Sequence, residues 1–197
     1  MTLKMKKSPL KGTAGTLKCT IRELRDHLDH FQSASKVQRA DNEDAEKVNR
    51  FKYACGKNAE KVMSFIKKIT PDLAKIAVPI DGLSDYDAAR IAICEKYCQR
   101  DETGSPKLQE NEKEKTKEYV FSFEDQKTVQ KELSALGKIY KSILSKVEKQ
   151  QTDIEAYLDT SVEIQELHCV EWKDLPERIS GTYLVVLSPM IKNIPEV

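Results

Sequence analysis

Between Ser122 and His168 the apolar residues recur at alternating spacings of four and three, and this run limits what the chain can become more than any other stretch. Val129, Leu133, Leu136, Tyr140, Ile143, Val147, Ile154, Tyr157 and Ile164 fall on a heptad seam, with Leu133, Tyr140, Val147 and Ile154 at a and the others at d. Only Gln150 and Ser161 place polar groups in it. A 3.5-residue repeat keeps one stripe of a helix against a partner and favours a gentle left-handed supercoil. No proline interrupts the run, and its single Gly137 costs a helix about 1 kcal/mol against alanine. The spacing therefore predicts one long helix over 122–168, roughly 70 Å at 1.5 Å per residue. Ser122 and Asp125 provide a cap for it. Ile139, Leu144 and Leu158 widen the stripe beyond what a two-stranded rod needs, which favours a multi-helix bundle.

The preceding chain offers helices that could cover such a seam. Leu17, Ile21, Leu24, Leu28 and Phe31 form an i, i+4, i+7 stripe, predicting a helix from about Thr16. Asp41 is the expected N-cap of a second helix, with Val48, Phe51, Cys55, Val62, Phe65, Ile66 and Ile69 along its apolar face and Asn58 as a polar break. Thr70-Pro71 should end or kink that helix. Asp72 to Val78 reads as a short helix and Pro79 to Gly82 as a turn. A third helix then follows a Ser84-x-x-Asp87 capping box. Residues 101–121 form the clearest boundary, because Glu110, Glu112, Lys113, Glu114, Lys115 and Lys117 leave little apolar surface to bury. After His168 the periodicity fails. Tyr183 to Leu187 is strand-like in content but has no convincing partner strand, so a short helix or an extended segment laid on the bundle is expected.

The expected fold class is all-α: an elongated helical bundle or coiled coil with one long helix in the C-terminal half. Its segments are a basic flexible arm (1–15), a helical hairpin with short helices (16–100), a charged linker (101–121), the long heptad helix (122–168) and an irregular tail (169–197). Of the 197 residues 33% are charged and 39% apolar, a balance that suits exposed helices better than a thick core. Charge is uneven: residues 1–100 carry +7 and residues 101–197 carry −6, which reads first as solvated helix faces and otherwise as halves that attract each other or a basic half that touches an acidic surface.

The chemistry-bearing residues give little pattern. Five cysteines at wide spacing, with no long apolar leader, imply reduced thiols and a cytoplasmic or nuclear protein. No run approaches the ~20 apolar residues that span a bilayer, so no membrane partner is expected. Cys94 and Cys98 share a predicted helix face but lack two further zinc ligands, and read as buried thiols. His27 and His30, beside Asp26 and Asp29, read as a solvated face. The stretch Lys11 to Thr16 lacks the Gly-x4-Gly-Lys-Ser/Thr spacing of a phosphate loop, and Ser8-Pro9 is a bare candidate for phosphorylation. No catalytic residue, metal ligand or cofactor site is assigned, and the chain is expected not to be an enzyme. Lys61, Lys67, Lys68 and the basic arm admit phosphate contacts, although aromatic interleaving and zinc knuckles are not evident.

The order Leu10-Lys11-Gly12, an amphipathic helix from Leu17 to Phe31, a polar gap, then Glu46 to Ile69 resembles the N-terminal helical region of BEL/Pao-type retroelement gag polyproteins. The resemblance covers about the first third of the chain. With no Cys-Cys-His-Cys knuckle and no protease Asp-Ser/Thr-Gly present, it carries over no functional residue. It implies an assembly protein associated with nucleic acid. The residues themselves lead first to a non-catalytic protein–protein interaction or assembly protein acting through the nine-residue seam, whose partner is another helical protein, a second copy, or the chain's own N-terminal hairpin.

Overall fold

The computed structural model describes residues 14–111, 115–179 and 181–195. The expected arm up to Thr13, with Ser8-Pro9 and Leu10-Lys11-Gly12, lies outside them, as do Glu112, Lys113 and Glu114 of the linker and Ser180 of the Ser180-Gly181 break. The fold is mixed, 59% helical and 14% strand, and this overturns the all-α coiled-coil expectation. In chain order the elements are β1 (Leu17–Thr20), α1 (Leu24–Ala34), α2 (Ala45–Ile76), α3 (Leu83–Tyr97), β2 (Leu108–Asn111) and β3 (Thr116–Tyr119). They continue as α4 (Phe123–Ile139), α5 (Lys141–Leu158), β4 (Ser161–Ile164), β5 (Val170–Glu171), α6 (Gly181–Leu187) and β6 (Ile191–Lys192). The strands pair as β1–β4 and β2–β3, both antiparallel, and β5–β6, parallel.

The chain divides into two compact units, one made of Met1–Ile76 with Ile154–Val197 and the other of Ala77–Asp153. In the first, β1 and β4 alternate as strands with one buried face must. Leu17 and Ile164 are cross-strand partners and both are buried, while Lys18 and Glu163, the next pair, are exposed and ion-paired at 3.4 Å. Leu17 therefore belongs to a strand and not to the first helix. That helix begins seven residues later at Leu24, where Glu23 accepts hydrogen bonds from the Thr20 backbone N–H and hydroxyl at 2.8 and 3.0 Å. Gly15 adopts φ +99°, a left-handed conformation that favours glycine. There it donates to Pro189 O and accepts from Leu167 N, both at 2.8 Å.

Helix α1 packs on α2, and Phe31, Phe51, Cys55 and Val62 fill the space between the elements with almost no exposure. Asp44, not Asp41, supports the start of α2 by accepting from Glu46 N at 2.9 Å. The helix runs through Pro71 to Ile76, so the break expected at Thr70-Pro71 and the separate helix after it give way to one element. Asn58, the apparent flaw in its apolar face, is 0% exposed. Its amide accepts from His168 N at 2.8 Å and donates to His168 O at 3.0 Å, clasping the backbone of one residue on both sides of its Cα. The segment expected to be an irregular tail supplies core: Leu187, Met190 and Ile191 are buried with the α1–α2 residues, and α6 lies against α1. A buried Glu43 ties this segment down by accepting from Glu177 N at 2.8 Å.

In the second unit α3 packs on α4. Gly82, at φ +81°, ends the turn before α3; no side-chain cap forms there, so the Ser84-x-x-Asp87 box is not made. Ser122 does cap α4, accepting from Asp125 N at 3.1 Å. The stretch expected as a linker holds the β2–β3 hairpin, stabilised by its backbone ladder and by opposed polar groups that a hydropathy argument undervalues. Glu110 faces Lys117 across the ladder, and Asn111 donates to Glu118 at 2.8 Å.

The long helix over 122–168 is also corrected. Tyr140 leaves helical geometry at φ −94°, ψ 16° and separates α4 from α5. Three residues past Gly137, the ladder restarts with Ile143 N and Leu144 N both donating to Tyr140 O, at 2.9 and 3.0 Å. The second interruption follows Leu158, where Ser161–Ile164 exchanges helical bonds for the ladder with β1.

Candidate functional site

The nine seam residues do not form one stripe. Val129, Leu133 and Leu136 lie on α4 and Tyr140 at the break. Ile143, Val147, Ile154 and Tyr157 lie on α5, and Ile164 in β4. None of the nine is exposed: Val129, Leu136 and Ile164 are buried and the rest half-buried. In the second unit the seam meets its own chain. Tyr140 packs a tilted ring on Tyr86 of α3, centroids 5.5 Å apart, and a Cβ at Gly82 would stand 2.7 Å from Ile143 Cδ1. Ile139, beside the seam, points away and is 77% exposed.

One seam residue reaches a different surface. In the first unit Tyr157 and Leu158 form one wall of an apolar groove of about 550 Å³. Ile21, Leu24 and Leu28 form a second wall from the β1–α1 side, and Ile66, Ile69 and Leu73 on α2 complete it. The 3.6-residue period produces both helical walls: Leu24 and Leu28 are four apart, as are Ile69 and Leu73. The polar atoms along the groove are engaged within the unit. The Tyr157 hydroxyl donates to Ile69 O at 3.1 Å, and the Thr70 hydroxyl to Ile66 O at 2.8 Å. Arg22 is held by Glu155 and by Asp159, the latter at 3.1 Å, and its two carboxylate partners raise its pKa further. Arg25 is the groove's remaining charge, and its side chain makes no ion pair or hydrogen bond among the described residues. What the groove presents is apolar surface with one open cation at its edge.

Burial raises four of the five thiols above their ordinary pKa. All five cysteines are free thiols. Burial pushes Cys55 up to about 12 and, with the Glu23 charge adding to it, Cys19 up to about 11. Burial likewise raises Cys94 and Cys169. Cys98 lies beyond the end of α3 in extended backbone, bridged to Phe121, so Cys94 and Cys98 do not share a helix face as expected. Among the described residues no three His, Cys, Asp or Glu side chains gather to hold a metal ion.

His27 and His30 are half-buried and not on a solvated face. Burial lowers the pKa of His27, whose Nδ1 is buried without a hydrogen-bond partner. The His30 ring stands edge-on to Tyr183 at 5.7 Å.

A second surface is marked in the sequence only by the lysines Lys61 and Lys68. Tyr53 on α2 is 62% exposed, yet its ring meets the edge of His168 at 5.9 Å and carries Lys57 Nζ 5.8 Å from its centroid. The signal was present in the spacing, since Arg50 and Lys57 stand three before and four after Tyr53 on one helix. Among the described residues no helix is long and apolar enough to cross a membrane. Comparison of the chain with protein-family models, with characterised proteins and with solved structures finds no match in any of the three.

Proposed function

We propose that this protein is a non-catalytic interaction protein that receives an amphipathic helix of another protein in the groove between α1, α2 and the end of α5. One observation carries the reading. The groove's hydroxyls and Arg22 are satisfied within the unit, so an occupant gains by burying apolar surface, and Arg25 alone stays free to meet a charge. Apolar side chains at i, i+3 or i+4 and i+7 would lie along Leu28, Ile69 and Tyr157, and a carboxylate on the occupant's polar face would pair with Arg25. Tyr157 links this reading to the heptad pattern: the part of the seam that serves a partner is its last turn on α5.

Selection from a library of helical peptides displayed on phage, followed by affinity measurement with purified protein, tests the proposal. Enriched peptides should carry the apolar spacing with an adjacent acidic residue. Leu28→Lys and Leu73→Lys should each abolish their binding, and Arg25→Glu should weaken acidic peptides selectively. Circular dichroism guards the comparison, because both leucines are half-buried and their variants should retain wild-type helicity. Binding that survives both leucine substitutions sinks the groove as the site.

A further inference from the structure

We infer that the face of α2 around Tyr53 binds single-stranded nucleic acid, with a base stacked on the Tyr53 ring and phosphates along a row of cations. This surface is separate from the groove and stands independently of it. Arg50, Lys57, Lys61, Lys68 and Lys75 are spaced by seven, four, seven and seven residues, which at 3.6 residues per turn confines them to about 40° of arc over roughly 38 Å. Two are engaged by neighbours, Lys57 with Glu60 at 2.8 Å and Lys75 with Asp72 at 2.7 Å, both pairs largely solvated and readily exchanged for phosphate. Lys61 donates to the Glu166 carbonyl. Arg50 and Lys68 form no ion pair among the described residues.

Cations alone would be an ordinary wet helix face. What distinguishes this one is an exposed aromatic ring beside the row, between Arg50 and Lys57 along the helix axis, and held in place by a neighbour. Tyr53 abuts His168, and the backbone of His168 is fixed by both hydrogen bonds of the buried Asn58 amide. The ring pair therefore has a rigid backing and little freedom to lose on binding. Lys57, now over the ring, is the group a base would displace, and its ammonium has a phosphate to move to. An exposed ring of this kind selects unstacked bases, because the faces of bases in a duplex are already covered.

Fluorescence anisotropy with labelled, mixed-sequence RNA and DNA of about 12 nucleotides, single-stranded and as duplexes, tests the inference on the full chain. Single strands should bind at about 50 mM salt and weaken steeply toward about 200 mM. Tyr53→Ala should weaken binding about tenfold, while Tyr53→Phe, which keeps the ring, stays near wild type. Arg50→Gln and Lys68→Gln should each lower the slope of affinity against salt by about one without changing base preference. The inference is overturned by no binding at the lower salt, by Tyr53→Ala binding as tightly as wild type, by duplexes binding as well as single strands, or by polyglutamate competing as well as an oligonucleotide.

Discussion

Replacing Asn58 should remove more stability than any other single polar substitution in the first unit. The side chain is fully buried and makes two hydrogen bonds to the backbone of one residue, to His168 N and O, with its amide also 3.5 Å from Met190 Sδ. Alanine leaves a backbone donor and a backbone acceptor without their partner. Each such loss costs about 1–3 kcal/mol when the group is desolvated. His168 is half-buried, so water reaches part of what is vacated, and the sum falls at about 2–4 kcal/mol. Against a total of about 5–15 kcal/mol for a folded domain, that is a large fraction. Urea unfolding followed by circular dichroism should show the midpoint falling with an unchanged slope.

Two further variants separate hydrogen bonding from packing. Asn58→Leu refills the volume but restores neither bond, and should be no more stable than the alanine variant. Asn58→Asp can still accept from His168 N but sets a carboxylate against His168 O, so its folded-state pKa lies above the ordinary ~3.9. A folded pKa raised in this way makes the variant progressively less stable as pH rises through the window between the two values, a dependence the alanine variant lacks. Recovery of wild-type stability by Asn58→Leu would refute the reasoning, because the cost would then belong to a cavity.

Other sites give sharper, smaller signals. Cys55 and Cys19, raised to about 12 and about 11 from an ordinary 9.0, should resist alkylation in the folded protein near neutral pH and react once urea unfolds it, as mass spectrometry of labelled peptides would record. Because these folded values lie above the unfolded one, stability should be whole below pH 9.0 and fall as pH rises through the values of about 11 and about 12. His27 has the opposite sign: burial lowers its folded pKa, so stability should decline as pH falls below its ordinary 6.5, and His27→Gln should flatten that decline in thermal melts. Gly82→Ala must adopt φ +81° and press on Ile143, costing about 1–2 kcal/mol in the second unit, measurable by urea unfolding. Ser122→Ala should lose about 1 kcal/mol with the cap of α4, measured the same way.

The helix faces were legible because their period is local. Leu24, Leu28 and Phe31 on α1, and Val48, Phe51, Cys55 and Val62 on α2, are marked by spacing alone and turn inward as that spacing requires. The strands were not, and the reason lies in their length. A four-residue strand turns only about two residues inward, and here one of each set also suited a helical period: Leu17 continued the stripe of the first helix and Ile164 the heptad. Only the partner decides between the periods, and Leu17 and Ile164 are joined by a ladder that no local window contains. Asn58 misled for the same cause, since the residue whose backbone it holds is 110 residues away. The break at Tyr140 has weak local warning, a single Gly137 one turn earlier. Of the two candidate surfaces, the groove needed three separate segments brought together, whereas the cations around Tyr53 are written within one helix, where Lys61 and Lys68 were legible, and only the His168 backing comes from elsewhere.

The split composition of the first unit sets an order of events during synthesis. Its N-terminal part through Ile76 emerges from the ribosome first, yet β1 has no partner until β4 follows, and Phe31, Phe51 and Cys55 lack Leu187 and Met190 until later still. The second unit is continuous from Ala77 to Asp153 and can close on itself in the meantime. At about 5–20 residues per second, the α1–α2 pair stays without the cover of Leu187 and Met190 for several seconds. Until then the α1–α2 pair has only one side of its final core in place.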